Sequence, residues 1–308
     1  MFVIILKIKE VIMSQIPKKI FYCWFGGEKP QKVLECISNW KQMLPNYEIV
    51  EINEKNKELF DVEKECQNNI WFRTCYENKM WAYVADYARL KVLYEQGGVY
   101  FDTDITVEKD ITKLLEKNKL VLGWEDNKSI NFAICISNKN NSLLEEILNF
   151  YNKEIWESKL YTIPQITTHI LRNHYKLNHS TEITENDDIL ILPPEYFYPI
   201  PIGLKEKRNF VTDKTYTIHW WDASWIKPNI AYFLKNKHKV NLIKLLDKCF
   251  KEKIIISNPF LKVEKMFNKY SIEIDFYYFF KFKYKYYSKK RFLTVFVLGI
   301  QIPIWRIK

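Results

Sequence analysis

Asp102 and Asp104 are the residues of this 308-residue chain whose type and spacing point most directly to chemistry. Carboxylates two residues apart on an extended strand share a face, so the pair concentrates negative charge in a small volume. A hard divalent cation, Mg²⁺ or Mn²⁺, relieves that repulsion and keeps coordination positions open for a diphosphate. The alternative is a solvated turn, since a motif as short as Asp-x-Asp recurs by chance. The context favours function. Asp86 and Arg89 stand one helical turn apart upstream, and Gly97-Gly98 with the apolar run Val99-Tyr100-Phe101 leads straight into the pair.

The elements that must position these groups are legible around them. Trp81, Val84, Ala85, Ala88, Val92 and Leu93 recur at helical spacing, which predicts a helix carrying Asp86 and Arg89 on one side. Gly97 and Gly98 end it, because a left-handed C-terminal cap is cheap for glycine and costly for other residues. The β-rich run that follows reads as a buried strand delivering both aspartates to its end.

From Ala82 to Asp104 the sequence resembles the DXD-containing sugar transferases of glycosyltransferase family 32, related to the yeast outer-chain mannosyltransferase and the glucosylating clostridial toxins. The signature is an Ala-x-x-(Ser/Ala)-Asp-x-x-Arg helix followed by Gly-Gly-x-Tyr-x-Asp-x-Asp. The resemblance implies an α/β GT-A fold, a Rossmann-like mixed sheet flanked by helices. It also implies a nucleotide-sugar donor with UDP-sugar favoured, a divalent metal (Mn²⁺ or Mg²⁺), and transfer with retention of anomeric configuration. By analogy the acceptor is a glycan or lipid-linked sugar in bacterial surface polysaccharide synthesis, of capsule or lipopolysaccharide type. In that scheme Asp104 holds the ion, and Asp102 contacts metal, ribose or sugar. Arg89 offers planar donors to phosphate or donor hydroxyls, and Asp86 accepts from sugar or ribose hydroxyls. The plainer alternative for Asp86 and Arg89 is a helix-surface ion pair worth only ~0.3–0.5 kcal/mol.

Lys19 to Trp24 forms a first strand, and Phe25-Gly-Gly-Glu-Lys-Pro30 is the loop at its carboxyl end, where ligands gather in open α/β sheets. Trp24 is therefore a candidate to stack on a nucleobase, against the commoner fate of packing in a core. Val33, Leu34, Ile37 and Trp40 predict a helix, and Tyr47 to Ile52 a second strand parallel to the first. Residues 54–78 are polar and helix-rich, with no functional motif. Leu120–Glu125 and Asn131–Ile136 read as apolar strands, and their separation by Asp126-Asn-Lys-Ser suggests a hairpin or a sheet-edge crossing. Asn131 opens the second where the family commonly has an Asn beside the transferred sugar, although a strand-start Asn is more often a turn former. Leu143–Tyr151 and Ile163–Leu171 read as helices, Ile189–Leu192 as a strand, and Tyr196–Pro201 as an extended segment. Thr162-Ile163-Pro164 stands where the family often has Thr-Gly-Pro, which removes the conformational freedom of glycine there. Tyr216 to Trp225 resembles the family's terminal His-x-x-x-x-Ser-Trp segment, which folds back over nucleotide and metal. The resemblance makes His219 a metal ligand or a phosphate contact, with Ser224 and Trp225 beside the nucleotide.

Of the net charge of +10, all but two belongs to residues 276–308, which hold eight cations, twelve aromatics and no acidic residue. The chain accordingly divides into a GT-A catalytic domain over 14–235 and a helical and basic/aromatic extension over 236–308, with an amphipathic helix at Lys239–Phe250. Interleaved cations and aromatics suit an anionic membrane surface first, a homo-oligomer contact second and nucleic acid third. The body adds too little positive charge to favour a nucleic-acid partner. Six cysteines without Cys-x-x-Cys spacing read as thiols of a reducing compartment. The expected location is cytoplasmic, peripheral at the inner face of the cell membrane. Met1–Lys7 is too short to span a bilayer, and Met13 is a second possible start.

Two rival functions use the same residues. Asp102-Thr103-Asp104-Ile105-Thr106 fits the Asp-x-Asp-x-Thr nucleophile loop of haloacid-dehalogenase-type phosphatases, but two strands and three expected helices precede it and no Gly-Asp occurs in the chain. A non-catalytic basic membrane-binding protein explains the tail and leaves the acidic pair without purpose.

Overall fold

The computed structural model describes residues 16–177, 182–204, 210–222, 234 and 237, and the backbone of 257–258, 261–266, 269–276, 280–287, 290–297 and 300–304. The described residues fall into two compact units, one drawn from 1–62, 82–155 and 160–224, the other from 63–81, 156–159 and 225–308. Asp86, Arg89, Asp102, Asp104 and His219 all belong to the first.

The first unit is built on a seven-stranded mixed sheet. Its strands are β1 (Lys19–Cys23), β2 (Glu48–Ile52), β3 (Gly98–Phe101), β5 (Leu120–Trp124), β6 (Ile130–Ser137), β7 (Thr184–Glu185) and β8 (Ile189–Leu192), in the order β2-β1-β3-β6-β5-β8-β7. β1 runs parallel to both β2 and β3, whereas β6 runs antiparallel to β3 and to β5. This is the mixed α/β sheet expected from the sequence. Every residue of β3, β5, β6 and β8 is buried, so the central strands read as continuous apolar runs, as strands covered on both faces must.

A separate two-stranded ladder carries the site. β4 (Ile105–Val107) pairs antiparallel with β9 (Thr217–His219), placing Ile105 opposite His219. The other edge of β4 is held by the helix Gln31–Met43, which buries Val33, Cys36, Ile37 and Trp40. Trp40 donates its indole N–H to the Ile105 carbonyl at 2.8 Å. Asn39 brackets Val107, accepting its N–H at 2.7 Å and donating to its carbonyl at 3.2 Å. Side chains of one helix thus do for β4 what a neighbouring strand would, and its backbone groups stay paired.

The helix Trp81–Gln96 stops at the paired glycines, with φ of 67° at Gly97 and 121° at Gly98. A Cβ on Gly98 would meet the Lys19 carbonyl oxygen at 3.0 Å, so β3 can enter the sheet beside β1 only without one. The segment expected to be extended at Tyr196–Pro201 begins instead inside a helical turn, Pro194–Phe197. Pro194 explains the difference, since its fixed φ and missing N–H suit a first helical position.

In the second unit, the helix Ile70–Glu77 is capped by Asn69, whose side chain accepts the Phe72 N–H at 2.7 Å. The basic and aromatic extension contains strands: β10 (Ser257–Asn258), β11 (Leu261–Met266), β12 (Lys269–Phe276), β13 (Phe280–Tyr287), β14 (Lys290–Val297) and β15 (Ile300–Ile304). They form one sheet in chain order, each antiparallel to the next. The helix expected at 239–250 lies outside the described residues. Among those described, no helix is long and apolar enough to cross a membrane, and Cys23, Cys36, Cys66, Cys75 and Cys135 are free thiols.

Candidate active site

Arg89 is the hub of the first half of the site. It is 5% exposed and its partner Asp86 7%, which excludes the helix-surface ion pair. Its Nε donates to the Ala85 carbonyl at 3.2 Å, and Nη1 donates to the Phe132 carbonyl at 3.0 Å and to Asp102 Oδ2 at 3.3 Å. Nη2 lies 3.1 Å from both Asp86 Oδ1 and Asp102 Oδ1. The guanidinium stacks 4.5 Å from the centre of the Tyr100 ring, and the Tyr100 hydroxyl donates to Asp102 Oδ1 at 2.9 Å. Both Asp102 oxygens are therefore aimed by buried donors. Burial pushes the Asp86 carboxyl up to about 6, against the pull of Arg89 and with the push of Asp102. Burial likewise lifts the neighbouring Cys23 thiol to about 12, so it stays protonated and is not a nucleophile.

Asp104 is held from the far end of the chain. His219 Nε2 lies 3.2 Å from Asp104 Oδ2, and the Asp222 N–H donates to the same oxygen at 2.8 Å. The Trp220 N–H donates to the Asp104 carbonyl at 3.0 Å, extending the β4–β9 ladder into the loop. Burial alone would raise the Asp104 carboxyl; the hydrogen bond and charge of His219, with the Asp222 amide, outweigh it and hold the group below its ordinary value. His219 is wedged against Trp221, ring centres 4.0 Å apart, and lies 5.8 Å from Tyr198. Trp221 is fixed in turn, with φ of 55° and its indole N–H on the Ile200 carbonyl at 2.7 Å.

One potential ligand atom from each of Asp102, Asp104 and His219 lies within 4.8 Å of the other two. His219 turns Nε2 toward the carboxylates, 3.2 Å from Asp104 Oδ2, and that nitrogen is the one placed to join them on a cation. Two carboxylates and an imidazole suit Mn²⁺, and the carboxylates alone suit Mg²⁺. The donor set therefore fits the ion expected from the sequence.

Trp24 follows β1 at the edge where β3 also ends, since the two strands are parallel with Phe21 opposite Tyr100. It is half-buried against the core, and its indole N–H is spent on the Gly27 carbonyl at 3.0 Å. Only its ring face remains for stacking. Asn131 sits beside the acidic loop, because β6 continues along it through the Asp102 N–H donating to the Ala133 carbonyl at 2.8 Å. Its amide is bonded at both ends: Oδ1 accepts the Ala133 N–H at 2.6 Å, and Nδ2 donates one hydrogen to Glu125 Oε2 at 2.6 Å. Ser224 and Trp225 lie outside the described residues. Sequence reasoning did not single out Tyr100, Glu125, Tyr198 or Trp221. Tyr100 was visible inside the Gly-Gly-x-Tyr motif, and Glu125 as an acidic residue closing an apolar strand. Tyr198 and Trp221 carried no signal separating them from core aromatics.

Residues 30–121, under a third of the chain, match the family model described as glycosyltransferase sugar-binding region containing DXD motif. A relative from Legionella pneumophila, subversion of eukaryotic traffic protein A, is 30% identical over 112 residues, covering 30% of this chain and 17% of the relative. Lactosylceramide 4-alpha-galactosyltransferase of Homo sapiens is 26% identical over 153 residues, covering 45% of this chain and 41% of the enzyme. The chain thus spans less than half the length of either relative. Among solved structures, the PaToxG glycosyltransferase superposes with a TM-score of 0.42 at 17% identity, over 52% of this chain and 70% of that one.

Proposed function

We propose that this chain is a metal-dependent, retaining glycosyltransferase of the GT-A type. It would move a sugar from a nucleoside diphosphate sugar, UDP-sugar favoured, to a glycan or lipid-linked acceptor in surface polysaccharide synthesis. The observation that carries the reading is the convergence of Asp102, Asp104 and His219 beside the Arg89–Asp86 hub, all but His219 lying inside the match to a sugar-binding region over residues 30–121. A divalent ion held by these three residues would supply Lewis-acid stabilisation of the charge that grows on the diphosphate leaving group. Arg89 and Tyr100 fix the direction of the Asp102 carboxylate, so no reorganisation is needed when substrate arrives. His219 and the Asp222 amide keep Asp104 ionised at neutral pH. Trp24 offers a ring face to the base at the same sheet edge. The relative that acts on lactosylceramide supports a hexose, galactose among them, as the transferred sugar.

The phosphatase alternative needs Asp102 as a free nucleophile, and both of its oxygens are tied to Arg89 and Tyr100. The extension, with its eight cations and twelve aromatics over 276–308, would dock on an anionic membrane face, and a homo-oligomer contact is its second use. A screen of nucleotide sugars for hydrolysis with and without Mn²⁺ tests the catalytic reading. Metal-dependent release of one nucleoside diphosphate is expected, and inertness toward every nucleotide sugar would refute it. Deleting 276–308 is expected to release the protein from anionic vesicles while sparing hydrolysis; unchanged sedimentation would remove the membrane role.

A further inference from the structure

Glu125 is a half-buried carboxylate that none of the roles above uses. It follows β5 at the turn of the β5–β6 hairpin, where its own N–H donates to the Ser129 carbonyl at 3.0 Å. Asp126 tightens that turn by accepting the Lys128 and Ser129 N–H groups, both at 2.7 Å. Trp124 pairs with Ile130 and Gly123 with Asn131, so the hairpin returns at once toward the acidic loop. The Asn131 amide then locks Glu125 Oε2 at 2.6 Å, while its own oxygen is pinned by the Ala133 N–H. The clamp fixes the carboxylate in direction, since an amide with both ends bonded cannot turn.

The clamp places the carboxylate beside the site. Ala133 donates its N–H to Asn131 Oδ1 at 2.6 Å and accepts the Asp102 N–H on its carbonyl at 2.8 Å, so the Asn131 amide lies next to Asp102 and carries Glu125 on its other end. Burial raises the Glu125 carboxyl above its ordinary value; the Asn131 hydrogen bond opposes this, Asp126 adds to it and the His219 charge opposes it. With one amide partner, the half-buried carboxylate keeps accepting capacity for further donors.

We infer that Glu125 is the carboxylate that binds hydroxyls of the transferred sugar, with Asn131 as its positioning residue rather than the sugar contact itself. Polyols present several O–H donors, and a fixed carboxylate accepts from them with charge-assisted hydrogen bonds. The inference rests on the transferase reading and deepens it. A nucleoside diphosphate lacks the sugar, so its binding should ignore Glu125.

The test compares UDP, UDP-glucose and UDP-galactose, each with Mn²⁺, by calorimetry and hydrolysis rate on the full chain. Glu125→Gln keeps the shape and removes the charge. UDP affinity is expected unchanged, while affinity or hydrolysis for the bound UDP-sugar falls ~10- to 100-fold. Asn131→Ala should lower hydrolysis by a smaller factor with UDP affinity intact. Equal losses for UDP and UDP-sugar would mean that Glu125 shapes the nucleotide site, and no loss for either would mean that it is structural; both overturn the assignment. Loss of acceptor transfer with donor hydrolysis untouched would also overturn it, by moving Glu125 to the acceptor. A wild-type protein that binds UDP but neither UDP-sugar more tightly lacks the sugar contact and refutes it too. Failure of the wild type to bind UDP or GDP with Mn²⁺ refutes the transferase reading itself, a result distinct from all of these.

Discussion

Asp102 and Asp104 are two residues apart, yet different parts of the chain hold them. Asp102 is fixed locally by Tyr100, two residues before it, and by Arg89 on the preceding helix. Asp104 is fixed by His219 and Asp222, which arrive from beyond β8 through the β4–β9 ladder. The first aspartate belongs to a buried charge network whose loss should damage the fold. The second sits at a junction closed by distant segments, and its loss should damage function while leaving the core intact.

Breaking the first half should give the largest change. Arg89→Met leaves Asp86 and Asp102 without their buried counter-charge, and such unpaired burial costs about 3–5 kcal/mol. Urea denaturation is the measure, and a midpoint close to wild type would show that the network is not structural. Breaking the second half should spare stability. Asp104→Asn is expected to lower metal-dependent nucleotide-sugar hydrolysis by ~10²–10³-fold, typical for removal of one group that stabilises developing charge. A comparable loss of stability would erase the distinction between the two aspartates.

The pH profile sharpens the same contrast. Asp86 titrates at about 6 in the folded protein, while an unfolded aspartate titrates near about 3.9. The folded state therefore binds this proton more tightly, and ionising Asp86 costs stability as pH rises from about 4 to about 6. Over that window wild type should lose about 2–3 kcal/mol relative to Asp86→Asn, with no further divergence above it. Parallel stability curves for the two proteins would contradict the assignment. The smallest effect belongs to Tyr100→Phe, which removes one hydrogen bond to Asp102 and should cost about 1–2 kcal/mol in thermal or urea unfolding.

What the sequence revealed follows from how local each feature is. The helix carrying Asp86 and Arg89, the glycine stop and the buried β3 form one continuous stretch, and periodicity with glycine placement was enough to read them. The two parallel strands at the start were legible for the same reason. The burial of Arg89 was not, because a pair one turn apart reads alike on a surface and in a core until the covering strands are known. His219 entered only through a resemblance, since no local pattern shows that Thr217–His219 pairs with Ile105–Val107 across more than a hundred residues. Glu125 was overlooked because its clamp, Asn131, becomes adjacent only when the hairpin closes. In the extension, Phe280-Lys-Phe-Lys-Tyr-Lys285 had the two-residue period of a strand, which its composition obscured.

The measurement that bears most directly on the site is calorimetric titration of UDP and GDP into the full chain, with and without Mn²⁺, for wild type and Asp104→Ala. Tight binding of one nucleotide only with the metal, and loss of that metal effect in the variant, is the predicted result. Binding that ignores the metal, or an undiminished metal effect in Asp104→Ala, would contradict the role given to Asp102, Asp104 and His219.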